Sequence, residues 1–582
     1  MLDEFNTAKK YHEQGNFRTA INLYKELLNI HKNNSNILFL IGMAYESLKE
    51  TNSAIDFFSK SLESNPNNFH SLNSLGNLFA KKNNNILAIE YLQKAIIINP
   101  NFFEAHNNLG NIQKKIRQYD RALESYKNAL KINMTNEVLN NIGNTLKEIG
   151  MFEEALLNYN KALEIDNSSV VSLNGCSIVL NELQRYEEAL SFCNTTLKID
   201  KKNLDALVIK GDTLASLDLK VEAKKICEYI LSLDKDNPKA LLILGLLEYR
   251  QGNFDEALNF YNNALKQDKN YLDALWNKAL LLLHKGQYNE GWQAYEIRFK
   301  RNYSQYRTFT DKKKWTGQNL KEKSILILYE QGFGDTIQFC RFIQNFQNLK
   351  PKKVIIDVQP KLKKLILSLK LNFEISFFEK KDTSFDYYVY LLSLPSIFKI
   401  SLDQVLSSTA YLFAEEKKLL YWKDKLSSRK PKIGITWSGN KSYRSDHFRS
   451  IEFELFKKIF SSNLEWHSLQ IEYKKSIDMQ DFYFFDHSKH LIDFSDTAAL
   501  IGNLDLVITI DTSVAHLAGA LGKPVWILIP FSNDFRWMEN RDDSPWYPSA
   551  RLFRQKNIND WSEVIFRLKH ELNKKFNNPA EL

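Results

Sequence analysis

The sequence predicts two architectures in one chain: a superhelix of antiparallel helix pairs, then an α/β half built on parallel sheets. Three observations carry this. Small residues recur with a 34-residue period over about residues 1–305. All ten tryptophans fall at Trp276 or later, and nine of the twelve prolines lie beyond residue 300. From about residue 323, β-rich runs such as SILILYE, KIGITW, LVITID and PVWILI alternate with helical patterns, as parallel α/β units require.

Length and composition bound the rest. At roughly 150 residues per domain, 582 residues suggest about three or four domains. The 44% hydrophobic and 25% charged content excludes wholesale disorder. The net charge of +9 is mild, and no stretch concentrates basic residues among aromatics, so no nucleic-acid partner is expected. Cys176, Cys193, Cys227 and Cys340 are too scattered for a disulfide scaffold or zinc knuckle. The start MLDEFNTAKKYHEQG has no apolar core, and no run reaches 18 apolar residues. Neither a signal peptide nor a membrane span is expected, and the cytoplasm is the expected location.

The first half is a repeat. Small residues stand at Ala20, Ala54, Ala88, Ala122, Ala155, Ala189, Ala223 and Ala257, closing with Gly291. Twelve residues earlier come Ala8, Gly42, Gly76, Gly110, Gly143, Ser177, Gly211, Gly245 and Ala279. Four residues after each member of the Ala20–Gly291 series comes Tyr24, Phe58, Leu92, Tyr126, Tyr159, Cys193, Cys227, Tyr261 and Tyr295. Two small positions let paired helices approach, and the larger residue fills the gap. This pattern is the tetratricopeptide signature. It predicts nine units over 1–305, stacked into a superhelix whose groove is lined by the first helix of each unit. Cys193 and Cys227, in the bulky slot, read as core. The first helices carry Asn77, Asn108, Asn111, Asn141 and Asn144, whose amides suit an extended peptide backbone. The ladder resembles that in the repeat region of O-linked N-acetylglucosamine transferase. A chain rich in asparagine throughout would also produce it.

The α/β half supplies any chemistry. Residues 306–322 read as a polar, basic linker. Residues 323–428 read as a first Rossmann-like domain, with a strand at about 324–330, a turn holding Gly332 and Gly334, and a helix from about Asp335; further strands are expected at 354–358, about 373–378 and about 385–390. The glycines permit close approach of a ligand to the backbone and helix N–H groups. Asp335 is either an ordinary N-cap or a catalytic carboxylate at the mouth of the junction. Residues 429–575 read as a second Rossmann-like domain. There Thr512 and Ser513 open a helix after a strand and suit a diphosphate. His516, on the same face as Thr512, would partly neutralise its charge. Asp511 suits a sugar or ribose hydroxyl; alternatively Asp511 is an N-cap and His516 a core histidine. Across 306–582 no D-x-D occurs, the pair His487/His490 reads as a solvated loop, and no metal is expected. No G-x-S-x-G elbow occurs either.

At these residues a family resemblance becomes specific. EQGFGDTIQFCRFI, KIGITWSGN…RS, SLQ, DFSDTAALIGNLDLVITIDTSVAHLAGALGKPVW and PFSNDFRW…DSPWYPSARLFRQ resemble bacterial tetratricopeptide proteins carrying a glycosyltransferase domain. That domain is similar to glycosyltransferase family nine, the ADP-heptose:lipopolysaccharide heptosyltransferases, over about 323–575. The resemblance implies a GT-B fold, with acceptor on the first Rossmann-like domain and nucleotide-sugar on the second. It implies an inverting, metal-independent transfer with no cofactor beyond the nucleotide-sugar substrate. Asp335 matches the general base on the acceptor hydroxyl. Asp511, Thr512, Ser513, Val514 and His516 match the donor-binding turn. The family's donor-side lysine has no secure match; Arg449 lies nearest and Lys441 is an option, within the segment that also holds Ser438 and Asn440. Gln470 and Glu472 are candidate nucleoside contacts. The expected acceptor is a polypeptide or a cell-surface glycan chosen by the repeats, which would also bind partner proteins. The competing expectation is a non-catalytic scaffold with a degenerate glycosyltransferase domain.

Overall fold

A computed structural model describes residues 2–301, 306–307, 309, 311–379, 384–406, 410–426, 428–441, 446–471 and 482–577. The chain divides into two compact units, Met1–Leu233 and Asp234–Leu582.

The first unit holds seven helix pairs, from Leu2–Glu13 with Phe17–Ile30 to Leu204–Ser216 with Lys220–Leu233. The small-and-bulky pattern makes them. A Cβ on Gly42 would lie 2.6 Å from the Phe58 ring, and one on Gly143 2.7 Å from Tyr159. Only glycine lets each helix seat that close. Cys193 and Cys227 fill the same slot fully buried, and burial pushes the Cys227 thiol up to about 12. Part of the asparagine content is capping. Asn34, Asn68, Asn84 and Asn203 each accept a backbone N–H from the first turn of the helix they open.

The second unit begins inside the repeat array. It contains the last two pairs, Pro238–Arg250 with Phe254–Gln267 and Leu272–His284 with Tyr288–Tyr295. Two parallel sheets follow. The first comprises β1 (Lys313–Lys314), β2 (Ser324–Leu328), β3 (Lys353–Asp357), β4 (Ile375–Phe377) and β5 (Tyr387–Tyr390), in the order β1-β5-β2-β3-β4. The second comprises β6 (Lys432–Thr436), β7 (Glu465–Ser468), β8 (Tyr483–Asp486), β9 (Leu506–Ile510), β10 (Val525–Ile529) and β11 (Ala550–Arg554), in the order β11-β10-β9-β6-β7-β8. The chain order reverses between β2 and β5 in the first sheet and between β6 and β9 in the second. Ligands of open parallel sheets bind at the strand C-termini at such reversals.

Two expectations need correction here. Residues 306–322 are not a free linker: β1 pairs with β5, and Trp315 is buried against Phe346 and Phe398 with its indole N–H donating to the Gln318 carbonyl at 2.7 Å. The hydrophilic composition hid one buried tryptophan, and that side chain decides where the segment sits. His487 is not on a solvated loop either. It is buried against Trp422 and lies 3.0 Å from the ring of His467.

The last repeat is built into the α/β half. Trp292 meets Phe339, Phe535 and Trp546 edge-on. Just beyond it, the buried Arg298 grips the fully buried carboxylate of Glu330 in a two-pronged ion pair at 2.7 and 3.0 Å, and also donates to Glu296 and Ser393. Glu330 follows β2 and Ser393 follows β5, so the pair fastens the repeat to the first sheet's reversal point.

Candidate active site

The turn after β2 and the turn after β9 meet. Phe333–Phe339 and Ser513–Ala520 are the helices that leave these turns, and they pack against each other. Gly334 makes the contact possible: a Cβ there would lie 2.7 Å from His516 Cδ2 and 3.6 Å from Ser513 Cα. Gly332 precedes the first helix, and its N–H donates to Asp335 Oδ2 at 2.9 Å. Asp335 therefore supports the first turn of its helix, as an ordinary capping residue does. Its other oxygen accepts from Arg536 Nη2. Arg536 also donates to Asp534 Oδ1 at 2.7 Å and to the buried Gln338. Burial raises the Asp335 carboxyl above the usual carboxylate range, the Arg536 guanidinium pulls it back, and Asp534 adds to the rise.

Across the contact, Thr512 is the N-cap of its helix, its hydroxyl accepting the Val514 N–H at 3.3 Å. That oxygen is thus committed to the helix. Ser513 and Asp511 are half-buried beside it. Burial, then Asp534, pushes Asp511 up to about 6. Arg449 donates to the Asp511 carbonyl at 2.8 Å and to Asp446 at 2.9 Å. It sits tight against Gly439, where a Cβ would come 2.6 Å from Nη2. The Ser438 N–H donates to Gln470 Oε1 at 3.3 Å, which draws the turns after β6 and β7 together. Asn440 and Lys441 are exposed. Glu472 lies outside the described residues.

His516 takes the second of its two readings, the core histidine. It is buried, its Nδ1 lies 2.8 Å from the Tyr547 hydroxyl, and its ring stacks on Trp537. Burial, reinforced by Arg536, Arg341 and Arg449, holds its pKa well below the ordinary value. A neutral imidazole contributes a hydrogen bond and no positive charge. Among the described residues, the cations acting on Asp511 in this turn are Arg449 and Arg536. Sequence reasoning did not single out Arg536 or Glu330, because the partners that give them their place, Asp335 and Arg298, lie 201 and 32 residues away.

In the first unit the asparagines are partly committed to one another. Asn108 donates to Asn73 at 3.0 Å and Asn141 to Asn107 at 3.0 Å, each linking neighbouring repeats. Asn111 and Asn144 accept the hydroxyls of Tyr126 and Tyr159 at 2.7 and 2.8 Å. Asn77 is half-buried on the helix Phe69–Lys81.

Comparison with known proteins bears on the repeats. Family models described as tetratricopeptide or TPR repeats match residues 35–68, 76–116, 103–133, 137–169 and 228–299. Protein FlbA of Caulobacter vibrioides is 25% identical over 307 residues, covering 48% of this chain and 51% of that protein. The chain thus spans about half the length of that relative. Among solved structures, YrrB, titled a TPR protein with an unusual peptide-binding site, is 21% identical, covering 32% of this chain and 95% of its own (TM-score 0.29). MamA from Desulfovibrio magneticus RS-1 is 21% identical, covering 28% and 94% (TM-score 0.27). A tetratricopeptide repeat protein from Parabacteroides merdae is 15% identical, covering 43% and 98% (TM-score 0.38). Among the described residues no helix is long and apolar enough to cross a membrane. The matched segments are tetratricopeptide repeats, and the array runs into a half made of parallel sheets and helices.

Proposed function

We propose that this protein is a metal-independent, inverting glycosyltransferase of the cytoplasm, moving a sugar from a nucleotide-sugar to a polypeptide or glycan acceptor chosen by the repeats. One observation carries the reading. The reversal points of two parallel sheets converge, through Gly334 against His516, so that Asp335 and the turn Asp511–Ser513 face one place. The family resemblance of the same segments, GD before the first helix and DTSVAH at the second, supports it.

The chemistry follows from the residues. Asp335 accepts the proton of the acceptor hydroxyl as that oxygen attacks the anomeric carbon, and the bond from that carbon to the diphosphate oxygen breaks. Negative charge gathers on the departing diphosphate, where Arg449, Arg536 and the N–H groups of the helix at Ser513 can stabilise it. Asp335 must leave Arg536 to act as base, so donor binding that draws the guanidinium toward diphosphate would free the carboxylate. A carboxyl raised by burial is a better base near neutral pH than an exposed one.

The scaffold reading has one observation in its favour. The Asp335–Arg536 ion pair would also be stable in a body that catalyses nothing. Incubation of the purified protein with a panel of nucleotide-sugars, with and without cell extract, separates the two. The enzyme reading expects release of nucleoside diphosphate from one donor, unchanged by EDTA; no release from any donor supports the scaffold, and loss on EDTA removes metal independence.

A further inference from the structure

The segment that carries Arg536 is held in a shape it would not keep alone. Two residues past Arg536, Met538 has φ 52° and ψ −162°, and Asn540 has φ 48°. Residues with side chains enter this region rarely and stay there when their surroundings impose it. Arg554 supplies part of the restraint, donating to the carbonyls of Trp537 and Arg541. The repeat array supplies more.

Tyr249 stands near the end of the eighth repeat's first helix, Pro238–Arg250, and donates to the Asn533 carbonyl at 3.2 Å. Its hydroxyl also lies 3.3 Å from His284 Nδ1 in the ninth repeat. His284 is buried, with Nε2 3.8 Å from the Glu539 carboxylate. Met538 covers the turn after His284, since a Cβ on Gly286 would lie 2.8 Å from Met538 Cε. Asn533, Met538 and Glu539 are thus each met by a repeat, and Arg536 lies between them in the chain. The next residue of the helix, Arg250, reaches the other cation's segment. Its guanidinium carbon stands 6.0 Å from the centre of the Phe448 ring, within cation–π range, and Phe448 directly precedes Arg449. One helix end therefore touches both segments whose arginines act on Asp511. The tyrosine is not part of the repeat plan. Asn181, Ala215 and Leu283 take its place in the sixth, seventh and ninth repeats, and no other unit carries a tyrosine there.

We infer that Tyr249 and Arg250 are positioning residues of the candidate active site, Tyr249 fixing the segment of Arg536 and Arg250 the segment of Arg449. The kinetic consequence rests on the sugar transfer proposed above; the structural consequence rests on the contacts alone. Both arginines would meet charge that develops on the departing diphosphate, where preorganised cations act most strongly. A shift of about 1 Å in either can cost about a hundredfold in rate.

The variants Y249F and R250Q of the full chain test this, beside Lys239→Gln, an exposed site at the opposite end of the same helix. In hydrogen–deuterium exchange, Y249F should speed residues 533–541 by at least about threefold and leave 446–450 as they were; R250Q should do the reverse. Carbodiimide labelling of Asp335, read by mass spectrometry, should quicken in Y249F, where Arg536 has left that carboxylate, and stay unchanged in R250Q. With a donor that turns over, each variant should release nucleoside diphosphate about ten- to a hundredfold more slowly at unchanged donor KM. Lys239→Gln should alter none of these, and thermal melts should coincide. Unchanged exchange in the assigned segments, unchanged Asp335 labelling in Y249F, or full turnover by both variants would overturn the inference. So would faster exchange spread over the whole unit with a lowered melting temperature, which marks a purely structural role. Absence of release from any donor counts against the transfer reading instead, and exchange and labelling then decide the positioning by themselves.

Discussion

The seven repeats of the first unit and the two repeats of the second share one backbone plan and differ in what their surfaces carry. In the first unit the bulky slot is filled and the first helices keep partly exposed asparagines such as Asn77, Asn108 and Asn144, so the array keeps a polar surface. In the second unit the same plan carries Trp292, Tyr295, His284 and Arg298, and these side chains are consumed by the α/β half. Tyr249, His284 and Trp292 all touch the segment 533–546, which holds Arg536. A repeat is a binding surface when its outward residues are polar and becomes part of a globular body when they are aromatic. The last two repeats thus position the candidate site.

The largest expected effect falls on that body. Arg298→Ala leaves the fully buried Glu330 without its partner and should destabilise the second unit by about 3–5 kcal/mol. The first unit's transition in urea should not move; equal loss in both units would erase the distinction drawn between them.

Acid comes next. His284, His467 and His487 are buried in the second unit, and burial, the leading cause for each, holds them at about 4, 3 and 4. Unfolded, they titrate near 6.5, so the unfolded chain takes up protons first and stability is lost as pH falls from 6.5 toward 4. Asp511, raised to about 6, works in the opposite sense, its contribution being lost as pH rises through 6. These three histidines against Asp511 leave a net loss, on the order of 5 kcal/mol, between pH 7 and pH 4.5; His516, also held low, adds to the loss, and Asp335, also raised, opposes it. Urea melts at the two pH values check this, and a second unit as stable at pH 4.5 as at pH 7 would contradict it.

The smallest effect belongs to the first unit. Gly143→Ala drives a methyl to about the 2.7 Å contact with Tyr159 and should cost about 1–3 kcal/mol there. The second unit's transition should stay in place.

The repeats were legible because their period is set by close packing, and packing needs small residues at fixed spacing. The Asp335 turn and the 511–516 turn were legible for a related reason: glycine, capping and small residues mark a strand-to-helix junction. Other features depend on contacts that spacing does not encode. Spacing placed His516 on the face of Thr512 without revealing that Trp537 and Tyr547 would enclose it. The strand β8 was missed because a short aromatic run at a sheet edge has no alternation to read. Of the ladder asparagines, Asn108 and Asn141 join neighbouring repeats and Asn111 and Asn144 hold tyrosine hydroxyls, ties that spacing does not show, while other asparagines cap helices.

The central claim is that Asp335 is the base of a sugar transfer at the meeting of the two turns. The direct measurement is the rate of nucleoside diphosphate release and sugar transfer by Asp335→Asn beside the unaltered protein, with thermal melting to confirm the fold. The account predicts a fall of about two to four orders of magnitude with donor binding retained. A variant that transfers sugar at the unaltered rate would contradict it.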